Sequence, residues 1–171
     1  MSSVIAMLMG SDADHLPSNI MVPGTNEASF MTRVGFIPPS HKVFKTGGNL
    51  ADPKWSVPNL GLEGIDERRF KNRRDLLSSL DVGLTGAAKS KDAGAMRSFM
   101  EQAADMLTNP NTRKAFNLET EPAKTRERYG MGHRGQSYLM GRKLIQSGVR
   151  FVTVDCREPI NTWRDGKRVK F

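Results

Sequence analysis

The sequence has few of the residues that build disulfide or metal-bound frameworks. It contains one cysteine, Cys156, and three histidines, His15, His41 and His133, among 171 residues. A single cysteine excludes an internal disulfide framework and a cysteine-based zinc site, and three dispersed histidines supply a nitrogen-rich metal site poorly. The composition does not exclude a site in which carboxylate oxygens bind a hard metal ion.

Long apolar runs are also missing. No stretch of about 18 apolar residues occurs, so the sequence predicts no membrane-spanning helix. Met1 to Met9 lacks the basic start and the small-residue cleavage site of a signal peptide, so the chain carries no visible targeting signal. Hydrophobic residues make up 37% of the chain and charged residues 26%. This balance is typical of a globular protein and argues against disorder throughout.

The chain is basic. It has 26 Lys plus Arg against 18 Asp plus Glu, for a formal net charge of +8. Such an excess suits phosphate, sulfate or nucleic-acid partners. However, the basic residues are spread from Arg33 to Lys170, whereas steering needs charge concentrated on one face. We therefore expect a solvated basic surface and no nucleic-acid partner.

The length predicts one domain, and the turn formers divide it into regions. Sixteen glycines and nine prolines predict many loops. The longest aperiodic segment carries several large aromatic residues, which argue that it is pinned to the body of the protein. We interpret residues 1–171 as a single incomplete domain with a long loop at 25–62, a helical region at 66–147, a core strand at 149–154 and a basic tail at 157–171.

Two long helices are predicted in the helical region. Asp66 caps the first, which runs to about Leu80, and the second begins at Asp92. Each has an apolar side, which we expect to face the core, although a methionine-rich stripe also suits an adaptable binding face. These sides consist of Phe70, Leu76, Leu77 and Leu80 in the first helix and Met96, Phe99, Met100, Ala103, Met106 and Leu107 in the second.

The segment from Arg134 to Cys156 carries the clearest pattern. Its first part has the spacing of an amphipathic helix, and Gly148 is expected to end that helix because glycine adopts a left-handed conformation without strain. A β-branched and aromatic run, Val149 to Val154, then predicts a buried strand. Asp155 follows the strand at its carboxyl end, where α/β proteins place binding and catalytic groups.

Too few strands are predicted to cover both edges of such a buried strand. Only Asn19 to Val22 and Val149 to Val154 have strand character, beside five or six helices. A strand as apolar as Val149 to Val154 requires parallel neighbours on both edges. We therefore expect the chain to be an internal piece of a larger α/β domain, or to obtain neighbouring strands from another chain.

Four segments carry a resemblance to a known family. They read SVPNL at 56–60, RRDLLSSLD at 73–81, QAADMLTNPNTRKAFNLETEPAKTRERYG at 102–130 and GQSYLMGRKLIQSGVRFVTV at 135–154. Their order and spacing resemble the middle of the domain of unknown function 1501 family, which is similar to sulfatases and the alkaline phosphatase superfamily. The resemblance covers residues 1 to about 154.

The resemblance implies a doubly wound, mostly parallel sheet of alkaline-phosphatase or sulfatase type. It also implies an exported or periplasmic protein that hydrolyses phosphate or sulfate esters with a divalent metal, whose ligands lie mostly outside these residues. The family tends to have a Trp-Asp-Thr-His motif shortly after the strand, whereas this chain continues from Asp155 to Asp165 without a histidine. We therefore expect the isolated chain to be inactive.

Three residues are candidates for a site, and no catalytic residue is identified. Asp155 is the candidate metal ligand, although its position also suits an ordinary loop anchor. His133 and Arg134 precede the amphipathic helix, whose positive amino end attracts anions, but the same residues also fit a solvated loop. The alternative function is a noncatalytic protein that binds an acidic polymer through the basic helix from Asp66 to Leu80.

Overall fold

The computed structural model describes residues 2–10, 12–13, 15–24, 35–38, 41–62, 64–83, 91–155, 161–164 and 167–170. These residues form a mixed α/β arrangement, as the sequence predicts. The helices are α1 (Ser2–Met9), α2 (Glu67–Gly83), α3 (Lys91–Thr108), α4 (Pro110–Phe116), α5 (Ala123–Tyr129) and α6 (His133–Gln146), with a 3-10 helix at Leu118–Thr120. The strands are β1 (Asn19–Val22), β2 (Phe44–Lys45), β3 (Phe151–Val154), β4 (Asn161–Arg164) and β5 (Lys167–Lys170). Among these helices, none has the length and apolar character needed to cross a bilayer.

Three strands form a parallel sheet in the order β2-β1-β3. Ile20, in the central strand β1, lies opposite Phe44 of β2 and Val152 of β3. Strands β1 and β3 agree with the sequence prediction in position, although β3 is half-buried rather than buried. Strand β2 lies inside the long loop and was missed, because two residues are too few to create a period. Strands β4 and β5 pair antiparallel as a second sheet, in the region predicted only as a basic tail.

The main core lies between the sheet and α6. Residues that are essentially inaccessible to solvent come from β1, from the segment just before it and from α6. Residues of α4 and of the loop at 50–60 cover the same core from outside. The largest of the fully buried apolar side chains in this cluster are Leu16, Ile20, Leu139, Met140 and Leu144.

The apolar sides of α2 and α3 are mostly exposed, in contrast to the prediction that they face the core. Leu76 is 62% exposed on α2, and Phe99 is 50% exposed on α3. Among the residues of α2 and α3 whose burial the structure describes, the well covered ones lie in the last turns of α3, where Ala104 and Met106 are buried. Helical spacing determines which residues share one side, but only tertiary structure decides whether another element covers that side.

Asn19 is a buried polar residue at the start of β1. It is 2% exposed, and neither its Oδ1 nor its Nδ2 atom has a hydrogen-bond partner within the described residues. An unsatisfied buried amide lowers stability by about 1–3 kcal/mol. Because leucine has a similar shape and no polar atoms, Asn19→Leu is expected to raise the free energy of unfolding by about 1–2 kcal/mol in urea titrations.

Asn19→Asp is the matched comparison, since it keeps the shape and adds a buried charge, and it is expected to destabilise the protein. A loss of stability in Asn19→Leu would contradict this prediction, because it would mean that the amide is satisfied in the folded protein.

Candidate functional site

The carboxyl ends of β1, β2 and β3 meet at one edge of the sheet, which we call the carboxyl edge. The loops that follow the strands are hydrogen-bonded to one another there. The Asp155 N–H donates to the Val22 carbonyl over 2.6 Å, and the Thr46 hydroxyl donates to the Pro23 carbonyl over 3.4 Å. The Gly47 N–H also donates to the Pro23 carbonyl. The carboxyl edge is therefore a built surface, at the position where parallel sheets bind ligands.

Helix α6 reaches the carboxyl edge with its amino end. It runs antiparallel to β3, because the turn at Gly148, with φ of 98°, joins the end of the helix to the strand. A Cβ atom added at Gly141 would lie 2.9 Å from Cγ2 of Val154, so Gly141 packs over the last residue of β3. His133 begins the helix two turns before Gly141, about 12 Å along the axis, and lies beyond the end of the strand.

His133 is held by the loop that follows β2. Its Nδ1 atom lies 3.2 Å from the backbone nitrogen of Leu50 and 2.9 Å from Oδ1 of Asn49. One ring nitrogen either accepts from the Leu50 N–H or donates to Asn49, depending on its protonation. In both arrangements His133 joins α6 to a loop more than 80 residues away in sequence.

The corner between α5 and α6 fixes the first turn of α6, where His133 lies. Gln136 is 1% exposed, and its Nε2 atom donates to the carbonyl of Gly130 over 2.7 Å. Gly135 allows the close approach, since a Cβ atom there would lie 2.8 Å from the carbonyl carbon of Tyr129 and closer still to two carbonyl oxygens. The sequence analysis did not identify Gly135, Gln136 or Asn49 as part of a site.

The structure places the predicted site residues around one edge. Asp155 is 7% exposed and directly follows β3, as the sequence predicts. It lies about 3 Å beyond Val154, whereas His133 lies about 12 Å beyond it, so the two occupy different heights of the carboxyl edge. Arg134 is exposed on the first turn of α6. Anion binding by His133 and Arg134 stays a prediction.

The described residues do not supply a metal centre. No group of three or more His, Cys, Asp or Glu side chains in this part of the chain is arranged to hold an ion. Asp155 is therefore a single carboxylate rather than a member of a ligand set within the described ranges. Its role as a metal ligand stays a prediction.

The comparison with protein families gives one match. A family model described as protein of unknown function (DUF1501) matches residues 1–164. No curated protein and no solved structure matches the chain significantly. The matched span includes every residue of the carboxyl edge described above.

Proposed function

The chain belongs to the DUF1501 family, and from that premise we propose that it forms part of a domain that hydrolyses phosphate or sulfate esters. In this reaction water attacks the phosphorus or sulfur atom, the bond to the ester oxygen breaks, and an alcohol leaves. The proposal extends the resemblance of the family to sulfatases. It assigns the substrate to the carboxyl edge.

The observation that carries the proposal is that the ends of the parallel strands and the amino end of α6 lie on the same side of the sheet. Three parallel strands end there, with the buried Asp155 after β3 and the amino end of α6 extending past the sheet. The first-turn amides of α6 offer hydrogen-bond donors to an anionic ester, and the helix dipole adds positive potential. Arg134 in the same turn adds a full positive charge. The described residues by themselves include no complete set of metal ligands.

The partial burial of β3 favours a larger sheet in the complete protein. Phe151, Val152, Thr153 and Val154 are all half-buried, and β3 is an outer strand of the sheet that the described residues form. A strand of this composition is typical of a sheet interior with neighbours on both edges. We propose that a further strand, from elsewhere in the protein or from another chain, pairs with β3.

The test is an assay of the full-length protein, with any sequence that flanks these residues, on p-nitrophenyl phosphate and p-nitrophenyl sulfate with added divalent metals. We expect turnover, and we expect Asp155→Asn to lower kcat/KM at least about tenfold, because we propose its carboxylate as one ligand of an added divalent metal that would polarise the ester. Asp105→Asn removes an exposed carboxylate on α3 and is expected to leave turnover unchanged. The absence of turnover with every metal would overturn the proposal.

A second candidate function rests on α2. Its five basic side chains are all exposed, which suits a noncatalytic protein that binds an acidic polymer. Retention on heparin that falls steeply as the salt concentration rises would favour this alternative. Retention that does not change with salt concentration would eliminate it. The residues are Arg68, Arg69, Lys71, Arg73 and Arg74.

A further inference from the structure

A cavity of about 470 Å³ lies between the loop at 50–60 and the segment from α4 to α5. This volume falls in the range of small-molecule sites. Among the described residues, Leu50 lines the cavity and also contacts His133 at the carboxyl edge. The apolar wall of the cavity is formed by Leu50, Trp55, Val57, Leu60, Phe116 and Leu118.

The aromatic part of the wall is held in place before any ligand arrives. The indole Nε1 of Trp55 donates to the Gly47 carbonyl over 2.9 Å. Gly48 packs beneath the ring, since a Cβ atom there would lie 2.7 Å from two indole atoms. Phe116 is 5% exposed, and its ring centroid lies 5.9 Å from that of Phe44. A wall fixed in this way loses little conformational entropy on binding.

Charged groups at the cavity favour an anion. Three cations line it, Lys54, Arg113 and Arg126, against two carboxylates, Asp52 and Glu119. Both carboxylates are exposed, and so are Lys54 and Arg113, so solvent and salt screen all four charges. The half-buried Arg126 is screened least. Asp52 is also used within its own turn, where its Oδ1 atom accepts the Lys54 N–H over 2.9 Å.

Arg126 is the distinctive cation. Its Nε atom is buried and has no hydrogen-bond partner in the part of the chain that the structure describes. Solvent does not reach this atom, so a ligand in the cavity would meet the terminal nitrogens of the Arg126 guanidinium instead. By contrast, Arg113 has a carboxylate nearby, since its Nη2 atom lies 3.9 Å from Oε1 of Glu67.

We propose that this cavity binds a small aromatic anion, with the ring against Trp55 and Phe116 and the carboxylate or sulfonate on the guanidinium of Arg126. A guanidinium forms paired, charge-assisted hydrogen bonds with two oxygens of a carboxylate or a sulfonate, and the apolar wall buries the ring. The site is separate from the proposed ester hydrolysis at the carboxyl edge and does not depend on it.

The test is a titration of the protein with 2-naphthoate, followed by ligand-observed NMR, with 2-naphthalenemethanol as the neutral analogue. We expect saturable binding of the anion and much weaker binding of the alcohol. Arg126→Gln is expected to raise the Kd for 2-naphthoate at least about tenfold, because it removes the charge-assisted contact. Arg128→Gln removes one charge from the same helix outside the cavity, and a change within about twofold is expected.

Three results would overturn the inference: no saturation at millimolar ligand, equal binding of the neutral analogue, or equal losses in Arg126→Gln and Arg128→Gln. Near-ultraviolet dichroism checks that each variant is folded. If Arg126→Gln fails to fold, Arg126→Lys replaces it, because lysine keeps the charge but loses the forked donors, and unchanged affinity in that variant would also reject the proposal. Asp155→Asn is expected to leave naphthoate binding intact, which separates this site from the carboxyl edge.

Discussion

Gly135→Ala is expected to lower the free energy of unfolding by about 3 kcal/mol or more, although alanine favours helix over glycine by about 1 kcal/mol. The added methyl group would lie 2.8 Å from the carbonyl carbon of Tyr129 and nearer to the carbonyl oxygens of Tyr129 and Gly130. These are backbone atoms, so no side-chain rotation relieves the overlap. The α5–α6 corner must open, which also displaces His133 from Leu50.

Two glycines provide graded comparisons in urea denaturation. A Cβ atom at Gly94, in α3, meets nothing within 4 Å, so Gly94→Ala is expected to stabilise by about 0.5–1 kcal/mol. At Gly141 the nearest atom is a side-chain methyl of Val154, which has some freedom to move, so Gly141→Ala is expected to fall between the two. If Gly135→Ala were as stable as the unmodified protein, the close corner would not exist as described.

Lys143→Met is expected to cost about 3 kcal/mol, even though methionine preserves most of the apolar stem. The Lys143 Nζ atom donates to Oε1 of Glu121 over 3.2 Å and to the hydroxyl of Thr120. The two charged side chains are only 11% and 14% exposed. Removing one partner of such a pair leaves the carboxylate of Glu121 poorly solvated and without its counter-charge.

A double-mutant cycle measures this interaction directly. The Lys143→Met/Glu121→Leu double variant is expected to recover most of the stability, because it removes both charges together. The exposed pair of Arg150 and Asp12 is the control, with side chains 34% and 58% exposed, and Arg150→Met should cost less than about 1 kcal/mol. Additive losses in the buried pair would show that Lys143 and Glu121 do not interact.

Helix caps illustrate what local sequence predicts and where it fails. Asn109 caps α4, because its Oδ1 atom accepts the Asn111 N–H over 2.9 Å. Thr120 lies shortly before α5 but does not cap it, since Pro122 occupies the N-cap of α5 and makes no side-chain hydrogen bond. The Thr120 hydroxyl instead accepts from Lys143 on α6, a partner that no local pattern reveals.

The candidate site likewise combines a position that local sequence predicts with contacts that it does not predict. The position of Asp155 followed from the strand before it, because a strand's end can be read from a run of a few residues. The contact of His133 with Leu50 and Asn49 could not be predicted, since these residues are more than 80 positions apart and meet only after β2 joins the sheet. The cavity beside Arg126 likewise combines two segments that are distant in sequence.

The sequence by itself determined the helices, strands β1 and β3, and the glycine turn between α6 and β3. These features depend on periodicity, caps and φ preferences that act over a few residues. Only the tertiary structure decided that β1 lies between β2 and β3, that the apolar sides of α2 and α3 stay exposed, and that His133 is anchored at the carboxyl edge. These outcomes depend on which distant segments pack together, because burial and strand pairing are properties of the whole fold rather than of any one segment.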